Sequence, residues 1–148
     1  MKIYIFPSYN VTNAWAAVGG KKWAVKSSDT ESTNKRYKTR SKNMLIGSFG
    51  ILYNSEKQEF TVPFVVKSKT KDVTENEVWN GEFILPFEII PLGDPSKVIS
   101  SRDFKNILQK YDDTEGLCLF GQLSPLLNFN GNDIKEEVWN DVLERLVF

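Results

Sequence analysis

The four tryptophans of the chain fall into two kinds of surroundings. Trp139 sits on the apolar face of the last helical segment and Trp15 in the middle of an early one, so both read as core. Trp23 and Trp79 stand in polar stretches among charges. An indole placed there either plugs a sheet edge or offers a flat stacking face. Aromatics interleaved with cations are what a single-strand or flipped-base site needs: stacking contributes ~1–3 kcal/mol per base, and the cations hold the backbone. The cations are present. Lys21, Lys22, Lys26, Lys35, Arg36, Lys38, Arg40 and Lys42 are opposed in that stretch only by Asp29 and Glu31. Beyond Lys110 the sign reverses, so a net charge of +0 hides an asymmetry. A basic segment on a neutral protein reads either as a local anion site or as a solvated loop.

Catalytic chemistry has little to work with. The chain has no histidine, which removes the commonest general base and every Ser-His or Cys-His arrangement. Cys118 is the one cysteine, too few for a disulfide or a structural zinc site. It suits a reducing, cytoplasmic setting. Gly19-Gly20-Lys21-Lys22 lacks the spacing of a phosphate-binding loop. Asp72, Glu75 and Glu77 lie in a polar stretch and read as solvated surface rather than acid–base machinery. No cofactor, no metal and no enzymatic activity are expected, and no apolar run approaches the ~18 residues that would span a membrane.

The segment Tyr4–Val25 resembles the opening of a YTH domain. In that family a strand ends in a Lys-Ser-Tyr-like triplet, an Asp or Asn follows, and the first tryptophan of an aromatic cage comes ten residues later. Here Ser8-Tyr9 is followed by Asn13, with Trp23 ten residues beyond. Asn34-Lys35-Arg36 resembles the family's Asn-Lys-Arg stretch, and Trp79-Asn80-Gly81-Glu82-Phe83 resembles its Trp-Lys-Gly-Arg-Phe. Ser101-Arg102-Asp103 resembles the Ser-Arg-Asp before its late helix. The likeness spans roughly residues 2–110. It implies a PUA-like, YTH-like α+β fold, a bent β-barrel or mixed sheet flanked by helices, shared with EVE and ASCH domains.

The same resemblance implies roles. Trp23 and Trp79 would wall a cage for N6-methyladenine, Asn13 would bond the ring N1, and Tyr9 and Ser8 would lie near the base. The Ala24 carbonyl would accept the remaining N6–H. Arg102, Lys35, Arg36, Lys22 and Lys26 would face phosphates. Two departures stand out: Thr74 replaces a second cage aromatic, and Pro7 replaces a lysine that touches phosphate.

The chemistry of selection follows from these types. Flipping a base costs a few kcal/mol, which two indole faces offset. Unmodified adenine would bury a second N6–H against carbon, at ~1–3 kcal/mol. A methyl group there removes that penalty and adds about 0.8 kcal/mol of apolar burial. The expected partner is therefore methylated DNA or RNA. The leading expectation is the DNA-recognition module of a modification-dependent restriction system of the McrB type, with a fused or associated NTPase or nuclease. The alternatives are an RNA reader or a reader of a modified cytosine. An ASCH-type enzyme and a protein-interaction domain are the competing classes.

The elements that must position these residues are only partly marked. Lys2–Phe6 alternates as a strand. Tyr9–Val18 reads as a helix started by Asn10 or Thr12 and stopped by Gly19-Gly20. Residues 21–43 read as one long loop, and Met44–Tyr53 as a buried strand with a close approach at Gly47 or Gly50. A hairpin at residues 54–57 leads to a strand over Glu59–Ser68 in which Pro63 marks an edge or bulge. A polar loop, Lys69–Asn80, precedes a strand over Phe83–Ile90. Ser101 is the expected cap of a helix to Lys110. Asp133 is the expected cap of a last helix whose apolar face is Ile134, Val138, Trp139, Val142, Leu143 and Leu146.

Overall fold

Strand alternation in the first element sets up the whole architecture. In β1 (Lys2–Ser8), Ile3 and Ile5 point to one core and Tyr4 and Phe6 to another. Such a strand must be covered on both faces. The computed structural model describes residues 1–79 and 82–148, and in it β1 lies inside a curled mixed sheet. It pairs parallel to β3 (Phe49–Asn54) and antiparallel to β8 (Gly131–Asp133). The strand order is β2-β6-β4-β3-β1-β8, with β2 (Lys22–Lys26), β4 (Glu59–Val66) and β6 (Phe83–Pro91) completing the path. The short β5 (Thr74–Glu75) pairs with β6, and β7 (Val98–Ser100) with β4. This is the expected α+β architecture: a half-barrel sheet flanked by helices.

Phe60 and Val62 have the same parity in β4 yet face opposite cores. A bulge causes this. Ile51 pairs with Pro63 but Leu52 pairs with Thr61, which leaves Val62 as the extra residue at φ 50°. One inserted residue flips every side chain beyond it to the other face. The bulge therefore sends Phe60 towards the helices and Val62, Phe64 and Val66 into the curl. Pro63, which has no N–H to give to a ladder, fits beside it. Gly50 faces this region, and a Cβ there would stand 2.3 Å from the Phe64 ring.

Helices α3 (Ser101–Lys110), α4 (Thr114–Leu117) and α5 (Glu136–Val147) cover the outer face of the sheet. Val138, Trp139, Val142 and Leu146 are buried as the periodicity requires. The caps fall one to two residues from their expected positions. Ser100, not Ser101, accepts the Asp103 N–H at 3.1 Å, and Asp133 belongs to β8 while Lys135 occupies the cap of α5. The inner face is closed by α1 (Val11–Gly20), capped by the Asn10 side chain, which accepts the Asn13 N–H at 3.1 Å.

Three expectations are corrected. Residues 21–43 form no long loop but contain β2 and the helix α2 (Glu31–Ser41). Only Tyr37 and Ser41 of α2 are buried, so its sequence carries no apolar period. Point contacts hold it instead: Tyr37 donates to the Pro125 carbonyl at 3.1 Å, Arg40 to that of Leu126 at 2.9 Å, and Lys69 to the carbonyls of Lys42 and Met44 at its end. A lysine there also suits the negative end of the helix dipole. The strand expected from Met44 begins only at Phe49, with Leu45 and Ile46 exposed in a turn. Trp15 is 50% exposed rather than core.

Candidate nucleic-acid interface

The terminal strand β2 carries Trp23, the first residue expected in the cage. Its odd residues face β6: Ile89 N–H donates to the Lys21 carbonyl and Ser27 N–H to that of Glu82, and these flank the pairs Trp23–Phe87 and Val25–Ile84. Ala24 lies between them, where the β2–β6 register shifts. Across from it, Pro86 has no N–H and the Leu85 N–H goes to the Val73 carbonyl. Ala24 is fully buried, so its carbonyl needs a donor.

Trp79, the second residue expected in the cage, follows a turn organised by Glu75. Glu75 is 4% exposed, and one carboxylate oxygen accepts the N–H groups of Glu77 at 2.7 Å and Val78 at 3.2 Å. Its other oxygen meets the Lys22 ammonium at 3.0 Å. Burial alone would raise this carboxyl. The Lys22 ammonium and the two backbone donors outweigh burial and hold it below the ordinary glutamate value. The Lys22 ammonium is raised in turn, chiefly by Glu75. Val78 packs on the end of α1, where a Cβ on Gly20 would lie 3.0 Å from its methyl. These contacts set Trp79 down against Trp23.

The two indoles meet edge to face, ring centroids 5.5 Å apart at 82°. Phe83 adds a third ring, 5.2 Å from Trp79 at 31°. A base sandwiched between two rings needs them parallel and about 7 Å apart, two contact distances. The slot is therefore closed in this arrangement. Trp23 and Trp79 are 2% and 6% exposed, and neither indole N–H has a partner among the described residues. Two clefts flank the turn, one of about 350 Å³ lined by Lys22, Lys71, Thr74, Glu75 and Glu88, the other of about 290 Å³ lined by Lys35, Lys38, Asp72, Thr74 and Leu85. Neither is lined by the indoles.

The structure gathers only some of the other predicted residues here. Asn13 is half-buried on α1, one residue from the buried Ala14, and its side-chain amide has no partner among the described residues. The Ser8 hydroxyl bonds the Asn10 carbonyl at 3.3 Å, so it shapes the turn into α1. Tyr9 is 70% exposed on the rim. Lys22, expected on phosphate, is paired with Glu75 and Glu77. Lys26, Lys35 and Arg36 are exposed, whereas Asn34 bonds both backbone groups of Ser28 and is structural. Arg102 is exposed in the first turn of α3. It is linked to the Ser8–Tyr9 rim through the β3–β4 hairpin: Ser101 N–H reaches the Gln58 carbonyl, and Glu56 N–H reaches that of Tyr9. Asn80 and Gly81 lie outside the described residues. Among the described residues no group of His, Cys, Asp and Glu is placed to hold a metal, and no helix is long and apolar enough to cross a membrane.

Sequence reasoning missed two residues. Glu75 reads as surface from its polar neighbours but is buried and paired. Phe83 reads as a strand residue but stands in the indole cluster; its place directly after the Trp79-Asn80-Gly81-Glu82 run was the available signal.

Comparison with solved structures settles the fold. The YTH domain of the Zygosaccharomyces rouxii MRB1 protein, in complex with N6-methyladenosine RNA, superposes with a TM-score of 0.59 over 99% of this chain and 85% of that one, at 13% identity. The chain has the YTH-like fold. Bacterial proteins share it: one from Rhodopseudomonas palustris has a TM-score of 0.56 over 98% and 92% of the two chains at 14% identity, and one from Agrobacterium tumefaciens 0.55 over 97% and 92% at 15%. No protein-family profile matches the YTH-like chain, and no curated protein matches it.

Proposed function

We propose that this YTH-like domain is a non-enzymatic reader that takes a flipped N6-methyladenine of RNA into the pocket between Trp23 and Trp79. The observation that carries the reading is the meeting of Trp23, Trp79 and Phe83. Three ring systems supply stacking, and the YTH resemblance gives the Ala24 carbonyl the single N6–H that a methylated adenine retains. Asn13, with an uncommitted amide, is the group to donate to N1. Lys26, Lys35, Arg36 and Arg102 are the exposed cations for the backbone. RNA is favoured over DNA because the MRB1 domain of the same fold was solved with methylated RNA. DNA and a restriction partner become arms of the test.

The test is a titration of matched RNA and DNA single strands carrying adenine, N6-methyladenine, cytosine or 5-methylcytosine, at one salt concentration. Methylated adenine in RNA is expected to bind at least about tenfold more tightly than adenine, the factor that one relieved buried donor supplies. Equal affinity for adenine and N6-methyladenine would overturn the reading. A preference for the DNA strand would return it to the restriction alternative.

A further inference from the structure

The closed indole pair is held shut against the preference of its own polar groups. Two buried indole N–H donors without partners among the described residues each carry an unrelieved desolvation cost. Opening would give them water. Something must offset this, and the fastening of the turn at residues 75–79 is at hand. Glu75 binds the two backbone N–H groups just ahead of Trp79 and also the ammonium of Lys22, the residue before Trp23. One side chain thus ties the segment that ends in one wall to the strand that carries the other. Regular structure contributes little on the Trp79 side, because β5 is two residues long.

We propose that Glu75, through its ion pair with Lys22, is a positioning residue that keeps Trp79 seated in the base slot of the free protein, so that base entry requires this pair to loosen. The inference rests on the reader function for its consequence but not for its geometry. Trp139 supplies an internal control. Its indole N–H is also buried and unpartnered, but it lies in the helix-side core, away from the turn.

The experiment follows hydrogen exchange of the indole N–H groups by NMR in the free protein, wild type against Glu75→Gln. The variant keeps an acceptor for the turn and removes the charge. Exchange at Trp79 and Trp23 is expected to quicken about tenfold, the factor for loss of one charge-assisted hydrogen bond, with Trp139 unchanged. Equal quickening at all three, or none, overturns the proposal. If Glu75→Gln does not fold, Lys22→Gln breaks the same pair from its less buried side and is scored identically. Stopped-flow binding of an RNA strand with one N6-methyladenine separates the two claims. The wild-type rate should level off with RNA concentration, and Glu75→Gln should raise the plateau about tenfold. A rate that stays linear and is indifferent to the variant overturns the latch. Selective exchange without any binding leaves the latch standing and removes the reader function.

Discussion

Trp79 and Trp139 are buried to nearly the same degree, and both keep an indole N–H with no partner among the described residues. They are held very differently. Trp139 lies on a twelve-residue helix, α5, against Phe49 and the outer face of the sheet, with Val138, Val142 and Leu146 around it. Its position follows from regular structure repeated over three turns. Trp79 follows a two-residue strand and a turn organised by one carboxylate. Equal burial therefore hides unequal anchoring: one indole is a fixed part of a core, while the other occupies a place from which local rearrangement can move it.

The largest effect that separates them is on stability. Trp139→Ala should cost about 3–5 kcal/mol, because the packed helix–sheet interface cannot collapse onto the cavity. Trp79→Ala should cost less than about 2 kcal/mol, since its edge turn can relax into the gap. Denaturant unfolding of the two variants checks this, and equal losses would erase the contrast. Binding should reverse the order. Trp23→Ala is expected to weaken binding of methylated RNA by about 1–3 kcal/mol through lost stacking, with the same direction for Trp79→Ala. Unchanged affinity in a titration would dissolve the cage. Trp139 variants that remain folded should bind normally.

Acid tests the fastening of both regions. Glu75 on the Trp79 side and Asp141 on the Trp139 side are each held below the ordinary carboxyl value. For Asp141, burial opposes the shift, and Arg145, Lys110 and Tyr111 outweigh it. A carboxyl lowered on folding contributes stability that is present above its unfolded value and is lost as pH falls through its folded value. Unfolding free energy should therefore fall as pH drops below the ordinary carboxylate range. Glu75→Gln and Asp141→Asn should each make that fall shallower in a pH series of denaturant unfolding. Slopes matching the wild type would show that neither carboxylate matters to folding.

The same contrast explains what was legible in the sequence. The helix-side core announces itself: α5 repeats its apolar residues at helical spacing, and β1 alternates. The site side does not. Helix α2 buries only Tyr37 and Ser41 and is held by hydrogen bonds to carbonyls more than 80 residues away, which no local period encodes. Trp23 and Trp79 could be picked out because indoles among charges are conspicuous. Their edge-to-face contact depends on the burial of Glu75, and a glutamate in a run of polar residues has the same local sequence whether it is exposed or buried. The exposure of Tyr9 and the ion pair of Lys22 were equally hidden, since neither leaves a mark on residue type or spacing.

The smallest expected effect concerns the exposed cations of α2, which belong to neither core. Lys35 and Arg36 project from the helix and make no ion pair among the described residues, while Lys38 is paired with Asp72. If the first two meet phosphates, Lys35→Gln and Arg36→Gln should each reduce the slope of log affinity against log salt by about 0.7, the share of one single-strand contact. Lys38→Gln should reduce it less, because its charge is already compensated. Methyl discrimination should be identical in all three, since charge on the backbone carries no information about the base. A salt slope unmoved by the first two variants would confine recognition to the indole side of the sheet. A change in methyl discrimination would mean that α2 communicates with the slot through the cleft it shares with Thr74.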